Sequence, residues 1–182
     1  MTDGPAPEPV TVRPAEPDDL PAVADLRWRW ITENTDANTD KDVDTGTGTE
    51  TDTAPTAEHD DFVRHFIDWA AKNTPSHRCL VLVQAGTVIG MAWLAILPRV
   101  PSPHALHRAS GDLQCVYVVP EARNTGLGGR LLEATLAEAR SLGLERVTVH
   151  SSPRAVPAYT RNGFEPSPRL LHARVARTTS YP

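Results

Sequence analysis

A single-domain α/β fold is what the sequence predicts, on three observations. The 182 residues are 40% apolar and include four tryptophans, which suffices for one sizeable core. Apolar runs of strand length alternate with stretches of helical periodicity. Finally, residues 113–132, LQCVYVVPEARNTGLGGRLL, pass from an apolar run through a proline and a glycine-rich loop into a leucine pattern of helical spacing. That order is strand, anion-binding loop, helix, because glycines let successive N–H groups converge and a helix N-terminus adds partial positive charge.

Taken in chain order, Pro9 to Arg13 has the composition of a short edge strand, and Pro14-Ala-Glu-Pro17-Asp-Asp carries helix-start signals. Leu20, Val23, Leu26, Trp30 and Ile31 then mark one face of a first helix. Between Thr32 and Ala57 lie nine threonines and seven acidic residues, with Val43 the only large aliphatic side chain. Such a segment buries too little surface to offset its ordering entropy, so a mobile insertion is expected at about 32–57. It is either a solvated insertion or a cover for a neighbouring acceptor site. Phe62, Val63, Phe66, Ile67 and Ala70 give a second helix ending near Asn73-Thr-Pro75.

Cys79 to Gln84 and Thr87 to Leu97, joined at Ala85-Gly86, have the composition of a hairpin. A proline-rich loop follows, and then a strand from Asp112 to Val119. Leu131, Leu132, Leu136, Ala139 and Leu142 lie on one side of a third helix capped near Gly143. Arg146 to His150 is a strand, Ala155 to Arg161 a short helix, and Phe164 onward at least one terminal strand. Residues 1–9 are expected as a flexible tail and 10–182 as one domain.

Composition also excludes functions. The net charge is -5, and the insertion, with seven acids against Lys41, carries -6 of it, leaving the remainder near +1. No basic stripe with interleaved aromatics appears, so nucleic acid is not an expected partner. Cys79 and Cys115 both sit in apolar runs, which fits buried free thiols rather than a disulfide framework or a metal site. The N-terminus lacks the basic and apolar regions of a signal peptide, and no apolar stretch reaches membrane-spanning length, so a cytoplasmic protein without a membrane partner is expected.

The glycine loop discriminates among phosphate-binding motifs. A dinucleotide-binding G-x-G-x-x-G would need glycine at Leu131, and a P-loop would need a lysine that is absent here. What remains is Arg-x-x-Gly-x-Gly, from Arg123 to Gly128, between a strand and a helix. With Ala158-Tyr159-Thr-Arg-Asn-Gly163-Phe164 downstream, the chain resembles the GCN5-related N-acetyltransferase (GNAT) superfamily from roughly Val10 to Leu171. The resemblance implies a mixed, mostly antiparallel central sheet of six to seven strands flanked by about four helices. It also implies an acetyl-CoA-dependent N-acetyltransferase.

In such proteins the pyrophosphate is held by backbone N–H groups, here Asn124, Thr125, Gly126, Leu127, Gly128 and Gly129. Arg123 and Arg130 would supply charge there, or else sit solvated on the surface. The pantetheine arm would pair with the cofactor strand through Val116 and Val118, flanking Tyr117. Tyr159 takes the family's general-acid position, and its phenol, with a reference pKa of about 10, stays protonated until a thiolate forms beside it. It could otherwise be a packed core aromatic. Asp112 falls where many members carry a glutamate base; alternatively it satisfies nearby backbone donors at a strand start. Strand alternation puts Asp112, Gln114, Val116 and Val118 on one face. His150, His104 and His107 are fallback bases. Ser152 replaces an asparagine frequent in the family, which puts that pantetheine contact in doubt. No metal is implied.

The resemblance implies a primary amine of a small molecule or peptide as the acceptor, and a homodimer is compatible with the sequence. Arg27, Trp28, Arg29, Trp30 and the insertion lie where family members choose their acceptors. Trp30 fits the buried stripe, leaving Trp28 either to line an acceptor groove or to pack under the proline loop. The alternative functions are a CoA-binding regulatory or interaction module without efficient turnover, and transfer of a longer acyl group.

Overall fold

Two apolar layers separated by one sheet organise the molecule, and the alternation of side chains along the central strands explains both. The computed structural model describes residues 8–36 and 56–173. Strands β1 (Thr11–Pro14), β2 (His77–Gln84), β3 (Thr87–Arg99), β4 (Arg108–Val118) and β5 (Val147–Val149) form one sheet in the order β1-β2-β3-β4-β5. Its first three pairings are antiparallel and β4–β5 is parallel. Helices α1 (Leu20–Asp36) and α2 (Ala57–Asn73) precede β2, α3 (Leu127–Ser141) joins β4 to β5, and α4 (Val156–Arg161) follows β5.

Val81, Met91, Trp93 and Tyr117 point to one face, where Val23 and Leu26 of α1 and Ala70 of α2 cover them. Leu80, Leu82, Ala92 and Leu113 point to the other, against Leu127, Leu131 and Leu132 of α3. A central strand buried on both faces has no polar alternation to show, which is why β2 and β3 are near-continuous apolar runs. The hairpin between them turns at Ala85 (φ 49°) and Gly86 (φ 76°), a pair of left-handed residues that matches strand twist.

Three expectations need correction. The sequence predicted six to seven strands, and the described residues form five. Residues after α4 are irregular chain with two turns as far as Ala173, where Pro166 and Pro168 lack the N–H that a strand ladder requires, and residues 174–182 lie outside the described residues. The expected loop at 32–57 also begins later, because α1 runs on to Asp36. Thr32 donates its hydroxyl to the Arg29 carbonyl at 3.0 Å, and Arg29 Nε lies 3.3 Å from Glu33 Oε1 one turn on. These contacts hold the extra turn despite its polar composition. Residues 37–55, most of the insertion, and residues 1–7 of the expected tail lie outside the described residues. Ile31, placed on the buried stripe, is 40% exposed.

Candidate functional site

The site is built on β4, whose regular pleat fails at one place. Met91 pairs with Tyr117 and Trp93 with Gln114, so Cys115 and Val116 together oppose Ala92. This is a β-bulge, and Cys115 adopts φ 34° there. The bulge corrects the single-face expectation. Asp112 and Gln114 lie together, with Gln114 Nε2 donating to Asp112 Oδ2 at 3.1 Å. Val116 and Val118, however, pack in the α3 layer with Leu113, while Tyr117 faces α1 and α2. One extra residue in the strand shifts the alternation by one.

On its other side β4 loses its partner. Pairing with β5 covers only Gly111–Val147, Asp112–Thr148 and Leu113–Val149, after which no β5 residue opposes Cys115 to Val118. The main chain at Val116 and Val118 therefore borders a gap between the strands. Such a gap offers hydrogen-bonding groups to an extended ligand.

Beyond β4 a short 3-10 turn, Pro120–Ala122, leads into the glycine loop. Asn124 (φ 64°) and Gly126 (φ 83°) are both left-handed, and Gly126 is the N-cap of α3. Asparagine and glycine are the residue types that tolerate this backbone. A Cβ built at Gly126 or Gly128 would meet nothing within 4 Å, so the loop opens onto free space, and at Gly129 it would meet only the Asn162 amide, at 3.5 Å from Oδ1 and 3.7 Å from Nδ2. The first N–H groups of α3 have no partner inside their own helix. The chain at 124–129 thus offers a concave run of donors at a positive helix end, a fit for a pyrophosphate.

The two arginines expected beside this loop are engaged elsewhere. Arg123 donates from Nε to the Val118 carbonyl at 2.9 Å and from Nη2 to Glu33 Oε2 at 2.8 Å, and its guanidinium lies 5.2 Å from the centre of the Tyr117 ring. Arg130 donates to the Val10 carbonyl at 2.7 Å, tying the chain before β1 to α3. Thr125 turns its hydroxyl to the Ala122 carbonyl at 2.7 Å.

Tyr159 is half-buried on α4, edge-on to Phe164 with 5.3 Å between ring centroids. Burial raises its pKa, and the Cys115 thiol adds to the effect, so the phenol is neutral at physiological pH. It also lines a cavity of about 530 Å³ outside β5, together with Val147, Val149 and Leu170. Ser152 serves through its carbonyl, which accepts from Ala155 at 3.0 Å and Val156 at 3.3 Å at the start of α4. His104, His107 and His150 are exposed; the His150 ring meets His172 at 6.3 Å. Trp28 packs between His59 and Phe62 of α2. Trp30 packs against the core as expected, with Arg27 stacked over it at 4.4 Å. Glu33 is the residue that sequence reasoning missed. Its spacing from Arg29 was the available signal, hidden by its place at the edge of a polar run.

The model of the acetyltransferase (GNAT) family matches residues 46–164, more than half of the chain. The chain belongs to that family. Among individual relatives, this GNAT chain is 34% identical over 93 residues to a mycothiol acetyltransferase of Pseudarthrobacter chlorophenolicus, covering 50% of this chain and 28% of that protein. It is 33% identical over 86 residues to a glucosamine 6-phosphate N-acetyltransferase of Trypanosoma brucei brucei, covering 47% and 56%. The chain therefore spans well under two thirds of the relatives it matches. In fold, it resembles a predicted acetyltransferase with acetyl-CoA from Clostridium acetobutylicum at TM-score 0.65 and 17% identity, covering 91% of this chain and 96% of that one. A glucosamine-6-phosphate N-acetyltransferase from Arabidopsis thaliana gives TM-score 0.63 at 17% identity, covering 93% and 100%. Among the described residues of this GNAT chain, no helix is long and apolar enough to cross a membrane, and no group of His, Cys, Asp and Glu is placed to hold a metal.

Proposed function

We propose that this chain is an acetyl-CoA-dependent N-acetyltransferase that moves an acetyl group to a primary amine of a small molecule or peptide by direct attack on the thioester. The carrying observation is the gap beside Val116 and Val118 of β4, which leads into the donor-lined loop at 124–129, with the neutral phenol of Tyr159 on α4 packed in the same apolar layer as Val116 and Val118. A strand edge suits an extended arm of amides, and a helix N-terminus with a left-handed loop suits a pyrophosphate. Coenzyme A has both parts, and family membership supports it as the ligand.

The chemistry then divides among residues present. Asp112, directly or through water, takes the proton of the incoming ammonium, and the free amine attacks the thioester carbon. Main-chain N–H groups at Val116 or Val118 serve the developing oxyanion. Collapse breaks the C–S bond, Tyr159 gives its proton to the departing thiolate, and the second proton, lost from the amide nitrogen, returns to the phenolate directly or through water. No metal is needed for any of these steps.

Release of free thiol from acetyl-CoA, measured across amino acids, aminosugars, polyamines, aminoglycosides and peptides, tests the reading. At least one amine is expected to release CoA in a Tyr159-dependent manner. Binding of CoA with no release from any amine, and no effect of Tyr159→Phe, would instead establish a CoA-binding module. Preference among acyl-CoA lengths in the same assay separates acetyl transfer from transfer of longer chains.

A further inference from the structure

Five polar side chains from α1, the end of β4 and the turn beyond it form one cluster beside the glycine loop. Tyr117 donates its hydroxyl to Glu33 Oε1 at 2.6 Å, and Arg123 donates to Glu33 Oε2 at 2.8 Å. Arg29 lies 3.3 Å from Glu33 Oε1 and 3.0 Å from Glu121 Oε1. Both oxygens of one carboxylate on α1 are thus committed to residues some 84 and 90 positions away in sequence. Arg123, the first residue of the loop motif, is fixed three ways: by Glu33, by the Val118 carbonyl, and by its own N–H bonded to the Pro120 carbonyl at 3.2 Å. Asn124 and Gly126, which give the loop its concave shape, follow at once.

We propose that Glu33 is a positioning residue for the cofactor loop: by holding Arg123 against β4 it fixes the backbone donors of 124–129, so that Arg123 shapes the pyrophosphate cradle without being its ligand. The inference rests on the acetyl-CoA reading above and adds the residue that joins the acceptor-side helix to the cofactor loop.

Charge and positioning give Glu33 opposite effects on anion binding. A carboxylate beside an anion-binding loop disfavours the anion by simple electrostatics. If Glu33 acted only as a charge, or if it sequestered an arginine that would otherwise pair with phosphate, its neutralisation would tighten CoA binding. If Glu33 holds the loop in shape, the same change weakens binding although it removes a negative charge. Glu33 is also well placed to stay ionised. Burial by itself would raise its pKa, but the bonds from Tyr117 and Arg123 outweigh burial and hold it below the usual range.

Titration calorimetry of CoA into the full chain decides between these outcomes. Glu33→Gln and Arg123→Gln are each expected to weaken CoA binding about fivefold. The double variant should be no weaker than the worse single, since both remove the same link. Unchanged or tighter binding by Glu33→Gln overturns the proposal, as does additive loss in the double variant. Should Glu33→Gln fail to fold, Tyr117→Phe keeps the ring in the core and removes one bond to Glu33; about twofold weaker binding supports the role, and unaltered binding overturns it. Wild-type protein that does not bind CoA overturns the functional reading itself, a different result from wild-type binding matched by the variants.

Discussion

The Phe164 N–H donates to the Tyr159 carbonyl at 3.1 Å while the two rings meet edge-on, 5.3 Å apart. Backbone and ring contacts together hold the phenol in place without using its hydroxyl. Tyr159→Phe should therefore leave stability within about 1 kcal/mol and CoA affinity unchanged. Turnover with the best amine should fall about 100-fold, the scale of a lost general acid. Steady-state kinetics beside a thermal melt measures both, and wild-type turnover in the variant removes Tyr159 from the chemistry.

Gly126 tests the cradle. Its φ of 83° lies where a side chain is strained, although a Cβ there would touch nothing within 4 Å. Gly126→Ala is expected to cost about 1 kcal/mol in folding. CoA affinity should fall more than tenfold, because the added methyl group projects from the N-cap into the open space that the ligand would use. Calorimetry separates this from a mere loss of stability.

Gly90, paired with Val118, tests packing beside the bulge. A Cβ there would stand 2.8 Å from Leu82 Cδ1 and 2.9 Å from the Tyr117 carbonyl oxygen, and the second of these is backbone that cannot swing away. Gly90→Ala should destabilise the fold by about 2–3 kcal/mol in urea unfolding.

The Arg13–Asp19 pair gives a pH dependence with a definite sign. Arg13 donates to the two carboxylate oxygens of Asp19 at 2.5 and 2.9 Å. The bond from Arg13 lowers the Asp19 pKa against the opposing effect of burial, with the Glu16 N–H assisting. A carboxylate held below its unfolded value stabilises the fold fully above that value, and the contribution is lost as pH falls through the folded pKa. Asp19→Asn should thus cost about 1 kcal/mol at pH 7, a figure kept small because Arg13 is partly exposed. The gap from wild type should close below about pH 4, the ordinary aspartate range. A gap that persists at pH 2 would assign the loss to packing.

Local chemistry made much of this protein legible from its sequence. The Ala85-Gly86 hairpin, the strand, loop and helix around Arg123 to Gly128, and the Tyr159 segment were readable because each depends on residues within a few positions of one another. Left-handed turns need glycine or asparagine, and buried strands need continuous apolar runs. The family model matches a span, residues 46–164, that includes both the Arg123 to Gly128 motif and the Tyr159 segment.

What only the tertiary structure decided depends on partners far apart in the chain. The bulge at Cys115 arises where β4 meets β3, and it moves Val116 and Val118 away from the face of Asp112 and Gln114, which strict alternation would have kept together. Arg123 has the composition of a phosphate ligand, but Glu33, 90 residues earlier, claims it. Glu33 itself looked like part of a polar loop, since nothing in its neighbourhood announces Tyr117. Pairings of this kind carry no local pattern: they exist only after the sheet has brought α1 against the end of β4, and so they are written in the fold rather than in any window of the sequence.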